Sequence, residues 1–128
     1  MVRPPQPELT ERELEVMHVF WQKDAELTAA EARDALENAG LARAYVTIAN
    51  LVRILVEKGF LEAVNAERPF RYRPRRSFDD VSRRLVADLV KRVFLGSREQ
   101  LLVNLLGARN RLTAEERALL RQALKEDE

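Results

Sequence analysis

The chain has no cysteine and a single histidine, His18, among its 128 residues. Without thiols it can form no disulfide, no thiolate metal site and no thiol nucleophile. His18 lies off the main apolar stripe of its helix, which suits a boundary residue better than a metal ligand or base. Glycine is also scarce, with four in all, and none belongs to a phosphate-cradling loop. The adjacent carboxylates Asp79 and Asp80 fall in the first turn of an expected helix, where they complement the helix dipole. These absences leave no constellation for acid–base, covalent or metal-assisted chemistry. An enzyme is not expected, nor is a cofactor. No apolar run approaches the ~18 residues needed to cross a bilayer. The start, MVRPPQPELTEREL, lacks the apolar centre of a signal peptide. A cytoplasmic protein with no membrane partner is expected, its proline-rich residues 1–9 frayed.

Charge is abundant but balanced, with 22 basic and 21 acidic side chains. The balance hides a strong asymmetry. Residues 1–40 hold 4 basic and 9 acidic side chains, residues 41–76 hold 8 and 3, and residues 77–128 hold 10 and 9. The middle segment is therefore net +5 inside a chain that is net +1. A local basic patch attracts phosphate whatever the net charge of the whole protein.

The periodicity predicts helices with few interruptions. Thr10-Glu11-Arg12-Glu13 is a capping box. It opens a first helix to about Gln22, with Leu14, Met17 and Trp21 as its stripe and Phe20 on the flank. Lys23–Glu26 reads as a turn. Thr28-Ala29-Ala30-Glu31 is a second capping box, opening a helix with Ala32, Ala35 and Leu36 inward, stopped at Asn38-Ala39-Gly40. A third helix runs from about Ala44 to Lys58 and ends at Gly59. Ile48, Leu51, Val52 and Leu55 recur on one side of it at i, i+3, i+4, i+7. Val46, Ala49, Asn50 and Arg53 fall on the other side, with Thr47 at the edge.

Phe60–Val64 and Phe70–Pro74 read as two strands joined by Asn65–Pro69, with Phe70 and Tyr72 on one face and Arg71 and Arg73 on the other. The expected class is mainly α with a small β-hairpin. It is a winged helix-turn-helix over residues 1–76, followed by a C-terminal helical dimerisation arm over residues 77–128. The third helix is small and lightly polar on its outer side, which suits a DNA major groove. The expected DNA-contacting set is Arg43, Tyr45, Val46, Thr47, Ala49, Asn50 and Arg53, with Arg68, Arg71 and Arg73 on the wing. Tyr45, opening the helix, either donates to a phosphate or packs under the wing. The alternative is a winged helix that binds protein; such a surface would be apolar and tolerant of acids, unlike Asn50, Thr47 and Arg53 beside a basic wing.

Ser77 is expected to cap a long helix to about Leu95, stopped by Gly96. Phe78, Leu85, Leu89 and Val93 step along one side of it, widened by Val86 and Val90. Ser97 opens a short apolar segment, EQLLVNLLGA. Thr113-Ala114-Glu115-Glu116 is a third capping box, before Leu119, Leu120, Ala123 and Leu124. About 50 residues cannot close a core alone. The economical solution buries this stripe against a second copy, through Phe78, Leu85, Val86, Leu89, Val90, Val93, Leu101, Leu102, Leu105, Leu120 and Leu124. That use of the apolar residues leaves none expected to line a ligand pocket.

Several stretches resemble the penicillinase-repressor family, the BlaI/MecI/CopY-type regulators. They are Leu14-Glu15-Val16-Met17 through Phe20-Trp21; Thr28 with Ala32; Ala44-Tyr45-Val46-Thr47-Ile48; Leu51 and Leu55-Val56-Glu57-Lys58-Gly59-Phe60-Leu61; and Phe70-Arg71-Tyr72-Arg73-Pro74. The resemblance covers nearly the whole chain. It implies a dimeric repressor on a palindromic double-stranded DNA operator of resistance or stress genes. The third helix would be its recognition helix. Thr47 and Asn50 would reach bases or nearby phosphates, Arg53 a phosphate, and the wing arginines the backbone. Many relatives carry a basic or polar residue where Ala49 and Ile54 stand here. The copper-responsive branch ends in a cysteine hook that this chain lacks. The β-lactam branch is inactivated by a regulatory protease cutting between asparagine and phenylalanine in the tail. The matching place is Asn104-Leu105, where leucine replaces phenylalanine.

Overall fold

A computed structural model describes residues 8–107 and 111–126. The expectation for the proline-rich start falls mostly outside these residues. Leu9 lies inside them and packs on the core, so the order begins earlier than the composition suggests. The described elements are α1 (Glu11–Lys23), β1 (Leu27–Thr28), α2 (Ala29–Asn38), α3 (Tyr45–Glu57), β2 (Leu61–Ala63), β3 (Arg71–Pro74), α4 (Phe78–Val93), α5 (Arg98–Leu105) and α6 (Ala114–Glu126). The chain divides into two compact units, one ending at Ser82 and one beginning at Arg83.

In the first unit the capping boxes at Thr10 and Thr28 both form in full. Each threonine hydroxyl accepts from the backbone N–H three residues on, and each glutamate accepts in return. Positive φ at Gly40 and Gly59, +88° and +84°, turns the chain after α2 and α3, a conformation open to glycine without strain. Ile48, Val52 and Leu55 of α3 are buried and Leu51 packs against them. Ala32 and Leu36 of α2 join the same core.

The stripe of α1 differs from the expected one. Val16, Met17, Val19 and Phe20 are its buried apolar residues, while Leu14 and Trp21 are only half-buried. The reason is that α1 packs against α2, α3 and β3 together. It needs an apolar arc wider than one i, i+3, i+4 stripe. Trp21 lies at the edge of that arc. Its indole Nε1 donates to the Arg76 carbonyl at 3.0 Å, and its ring meets Phe78 edge-on at 5.3 Å.

The hairpin also differs: it is two strands of a three-stranded antiparallel sheet ordered β1-β3-β2. Leu27 pairs with Tyr72 and Thr28 with Arg71, so Thr28 ends a strand and caps α2 at once. A two-residue strand has no period to read, and its partner lies more than 40 residues away. The expected strands are each trimmed, to Leu61–Ala63 and Arg71–Pro74.

One buried ion pair ties α1 to the end of α3. Glu13 is 2 % exposed, and both its carboxylate oxygens accept from Lys58 Nζ, at 2.8 and 2.9 Å. Burial pushes the Glu13 carboxyl up, but the Lys58 ammonium and the Thr10 backbone N–H outweigh it and hold the carboxyl below its ordinary range. A carboxyl depressed in the folded state contributes stability above its unfolded pKa, and that contribution is lost as pH falls through the folded value. Glu13→Gln keeps a capping-box acceptor and removes the charge. At neutral pH it is expected to destabilise the fold by about 1–3 kcal/mol, less than a fully buried pair because Lys58 is partly exposed. Thermal melts of both proteins should converge as pH falls through the depressed folded-state pKa of Glu13; a gap independent of pH would show that the charge is not what stabilises.

Ser77, still in the first unit, accepts from the Asp80 backbone N–H at the start of α4; in the second unit Ser97 accepts from the Gln100 N–H at the start of α5, and Thr113 forms its capping box with Glu116. Helix α4 ends at Val93, two residues before the expected end, with Leu95 and Gly96 both at positive φ. Asp79 and Asp80 lie in its first turn as expected.

Candidate nucleic-acid interface

Helix α3 turns its inner side into the core and leaves Val46, Asn50 and Arg53 exposed, with Thr47 and Ala49 half-buried at the margins. Val46 is 68 % exposed. No side chain caps the start of α3 and no acid lies in its first turn, so the positive end of its dipole is uncompensated. Tyr45 is about half exposed. Burial first, and then the neighbouring Tyr45, hold the Tyr72 hydroxyl above its ordinary pKa, while Arg68 pulls the other way. The start of α3 and the wing are therefore within electrostatic reach of each other.

The wing loop is organised by Asn65, which the sequence reading passed over as a connector. Its Oδ1 accepts from the Arg71 backbone N–H at 2.7 Å, and its Nδ2 donates to the carbonyls of Glu67 and Pro69 at 2.9 and 3.1 Å. This clasp presents Arg68, whose guanidinium lies 5.9 Å from the centre of the Phe70 ring. An asparagine able to bond its own loop backbone is the signal that could have found it.

The other four arginines of the expected contact set each meet a carboxylate. Arg73 Nε donates to Glu62 at 2.6 Å, from the directly opposite register position, and this bond raises the Arg73 pKa. Arg71 reaches Glu31 at 3.3 Å and the Glu26 carbonyl at 2.7 Å. Arg53 pairs with Glu57 at 2.9 Å, one turn along α3. Arg43 is partly buried against Glu15 at 3.3 Å and its Nε has no hydrogen-bond partner. Of the expected contact set, Arg43 is thus the one drawn into the fold. Arg76, outside that set, lies over the Phe60 ring at 5.0 Å.

A hollow of about 420 Å³ opens beside Trp21, Phe78, Asp24, Glu26 and Arg73. Among the described residues no cluster of His, Asp or Glu could hold a metal ion, and no helix is long and apolar enough to cross a membrane.

The second unit has a different character. No described residue from Arg83 onward is buried, and Leu85, Val86, Leu89, Val93, Leu102, Leu105, Leu120 and Leu124 are exposed apolar side chains. Val90 and Leu101 are half-buried. Phe78, also expected in this surface, belongs to the first unit and meets Trp21 and His18 there. Asn104 and Leu105 form the exposed last turn of α5, and Ala108 of the expected apolar segment lies outside the described residues.

Among the described residues, six helices and a small three-stranded antiparallel sheet make this a mainly helical protein of the winged-helix class. A profile of the family described as penicillinase repressor matches residues 9–126, and the chain belongs to that family. Among solved structures it is similar to the complex structure of hsRosR-SG, with 15 % identity, 97 % of this chain and 96 % of that one covered, and a TM-score of 0.52. It is also similar to the reduced form of MarR from E. coli, with 17 % identity, 92 % and 76 % covered, and a TM-score of 0.42. The ferric uptake regulator from Francisella tularensis matches over 59 % of each chain at 13 % identity, with a TM-score of 0.49, so this chain spans about three fifths of that protein's length. A search of curated proteins returned no match. The matched family is one of repressors.

Proposed function

We propose that the protein represses transcription as a homodimer on a palindromic DNA operator, one winged helix per half-site. The observation that carries this is the outer side of α3: exposed Val46 and Asn50, an uncompensated helix N-terminus, and a basic wing in reach of its first turn. An α-helix of this width fits the major groove, where an asparagine can bond adenine bidentately and small apolar groups can meet thymine methyls. The wing arginines and the start of α3 are suited to phosphates. Two copies are favoured by the run of exposed apolar side chains along α4–α6, which a second copy would cover. Relief of repression fits damage to that arm. Asn104-Leu105 is exposed, and a cut there separates α6 from the rest.

Selection of bound sites from a random duplex pool tests the reading, and a palindrome is the expected outcome. Asn50→Ala should then relax preference at its base position, a loss of roughly 1–3 kcal/mol. Arg73→Ala should weaken binding to all sequences alike. Unchanged affinity and preference in Asn50→Ala would show that α3 enters the groove by another side.

A further inference from the structure

Five arginines stand in the expected contact set, and four hold a carboxylate within 3.3 Å: Arg43 with Glu15, Arg53 with Glu57, Arg71 with Glu31 and Arg73 with Glu62. The first is partly buried and serves the fold. The other three are exposed on both sides. Exposed pairs of this kind contribute little to stability. Their acids come from three elements, α2, α3 and β2, yet each settles on an arginine of the basic segment. The Glu62–Arg73 pair is built into the sheet register itself.

We infer that Glu31, Glu57 and Glu62 are internal counter-charges, occupying the phosphate-binding arginines of the free protein and giving way to DNA phosphate on binding. The inference rests on the DNA-binding reading above. Its consequence is a limit on sequence-independent attraction. A free arginine binding a phosphate releases condensed counterions from DNA. An arginine taken from a carboxylate releases them too, but the freed carboxylate then recruits a cation, so the net ion release shrinks. The acids therefore reduce the part of the affinity that is common to all DNA. They leave intact the contribution of groove-facing Val46, Thr47 and Asn50. Glu62 is a clear case, because its bond uses Arg73 Nε and the side chain makes no other hydrogen bond among the described residues.

Glu62→Gln tests this, since glutamine keeps an acceptor for Nε and loses the charge. Binding of the full chain to a random-sequence duplex is measured across a salt series for wild type, Glu62→Gln, Arg73→Ala and the double variant. Glu57→Gln, acting through Arg53, is the second case. Glu37→Gln, an exposed acid of α2 in no ion pair among the described residues, is the control for the general field. Glu62→Gln should bind about twofold to fivefold tighter, with a steeper salt slope, by less than about 0.9 for the displaced pair. Its gain should vanish in the Arg73→Ala background and exceed that of Glu37→Gln. Equal or weaker binding, an unchanged slope, or a gain that survives without Arg73 would overturn the inference while leaving DNA binding intact. Failure of the wild type to bind any duplex would overturn both.

Discussion

Leu89→Asp is expected to yield folded monomers whose operator affinity is lower by about 10²-fold or more. Leu89 lies mid-way along α4, between Leu85 and Val93, on a helix with no buried residue beyond Val81. If that surface closes against a second copy, a carboxylate there would be buried without a partner, and the interface would not form. The winged helix should survive, because among the described residues every buried apolar side chain lies between Val16 and Val81. The loss in affinity follows from linkage: two heads on one arm bind the second half-site at a high effective concentration, and a monomer forfeits it. Sedimentation reads the assembly state and a shift assay the affinity. An intact dimer would move the interface to another surface.

Affinity for any duplex is expected to fall on the order of 10³-fold between ~50 and ~200 mM salt, if a dimer neutralises ~6–10 phosphates. The value belongs at the low end of the range for that many contacts, because Arg53, Arg71 and Arg73 begin the reaction already paired. Net charge gives no hint of such dependence, since the chain is only +1. It arises from the +5 carried by residues 41–76. Salt-independent binding would remove phosphate from the account and leave the groove contacts to explain all of the affinity.

Much of the head was legible in the linear chain, and the reason is range. A capping box spans four residues, so Thr10, Thr28 and Thr113 announced three helix starts that form as read. The two-sidedness of α3 needs only a 3.6-residue period, so the inward set Ile48, Val52 and Leu55 and the outward Val46, Asn50 and Arg53 could be separated by counting. The basic segment is a matter of composition. What the chain alone determined, then, was a winged helix with a charged wing and an apolar arm.

Tertiary structure decided everything that depends on partners distant in sequence. Which residues of α1 are buried follows from three elements packing on it at once, so Val16 and Phe20 displaced Leu14 and Trp21 from the centre. The third strand exists because Leu27 finds Tyr72. Glu13 and Lys58, 45 residues apart, became a buried pair. The arginines show the same limit most clearly. Their number and place could be counted along the chain, but whether each is free depends on a glutamate that folding brings beside it. Glu15 holds Arg43 and Glu62 holds Arg73 because helix packing and strand register set them a few ångströms apart. Coulombic pairing is set by distance in space, and only the fold supplies that distance.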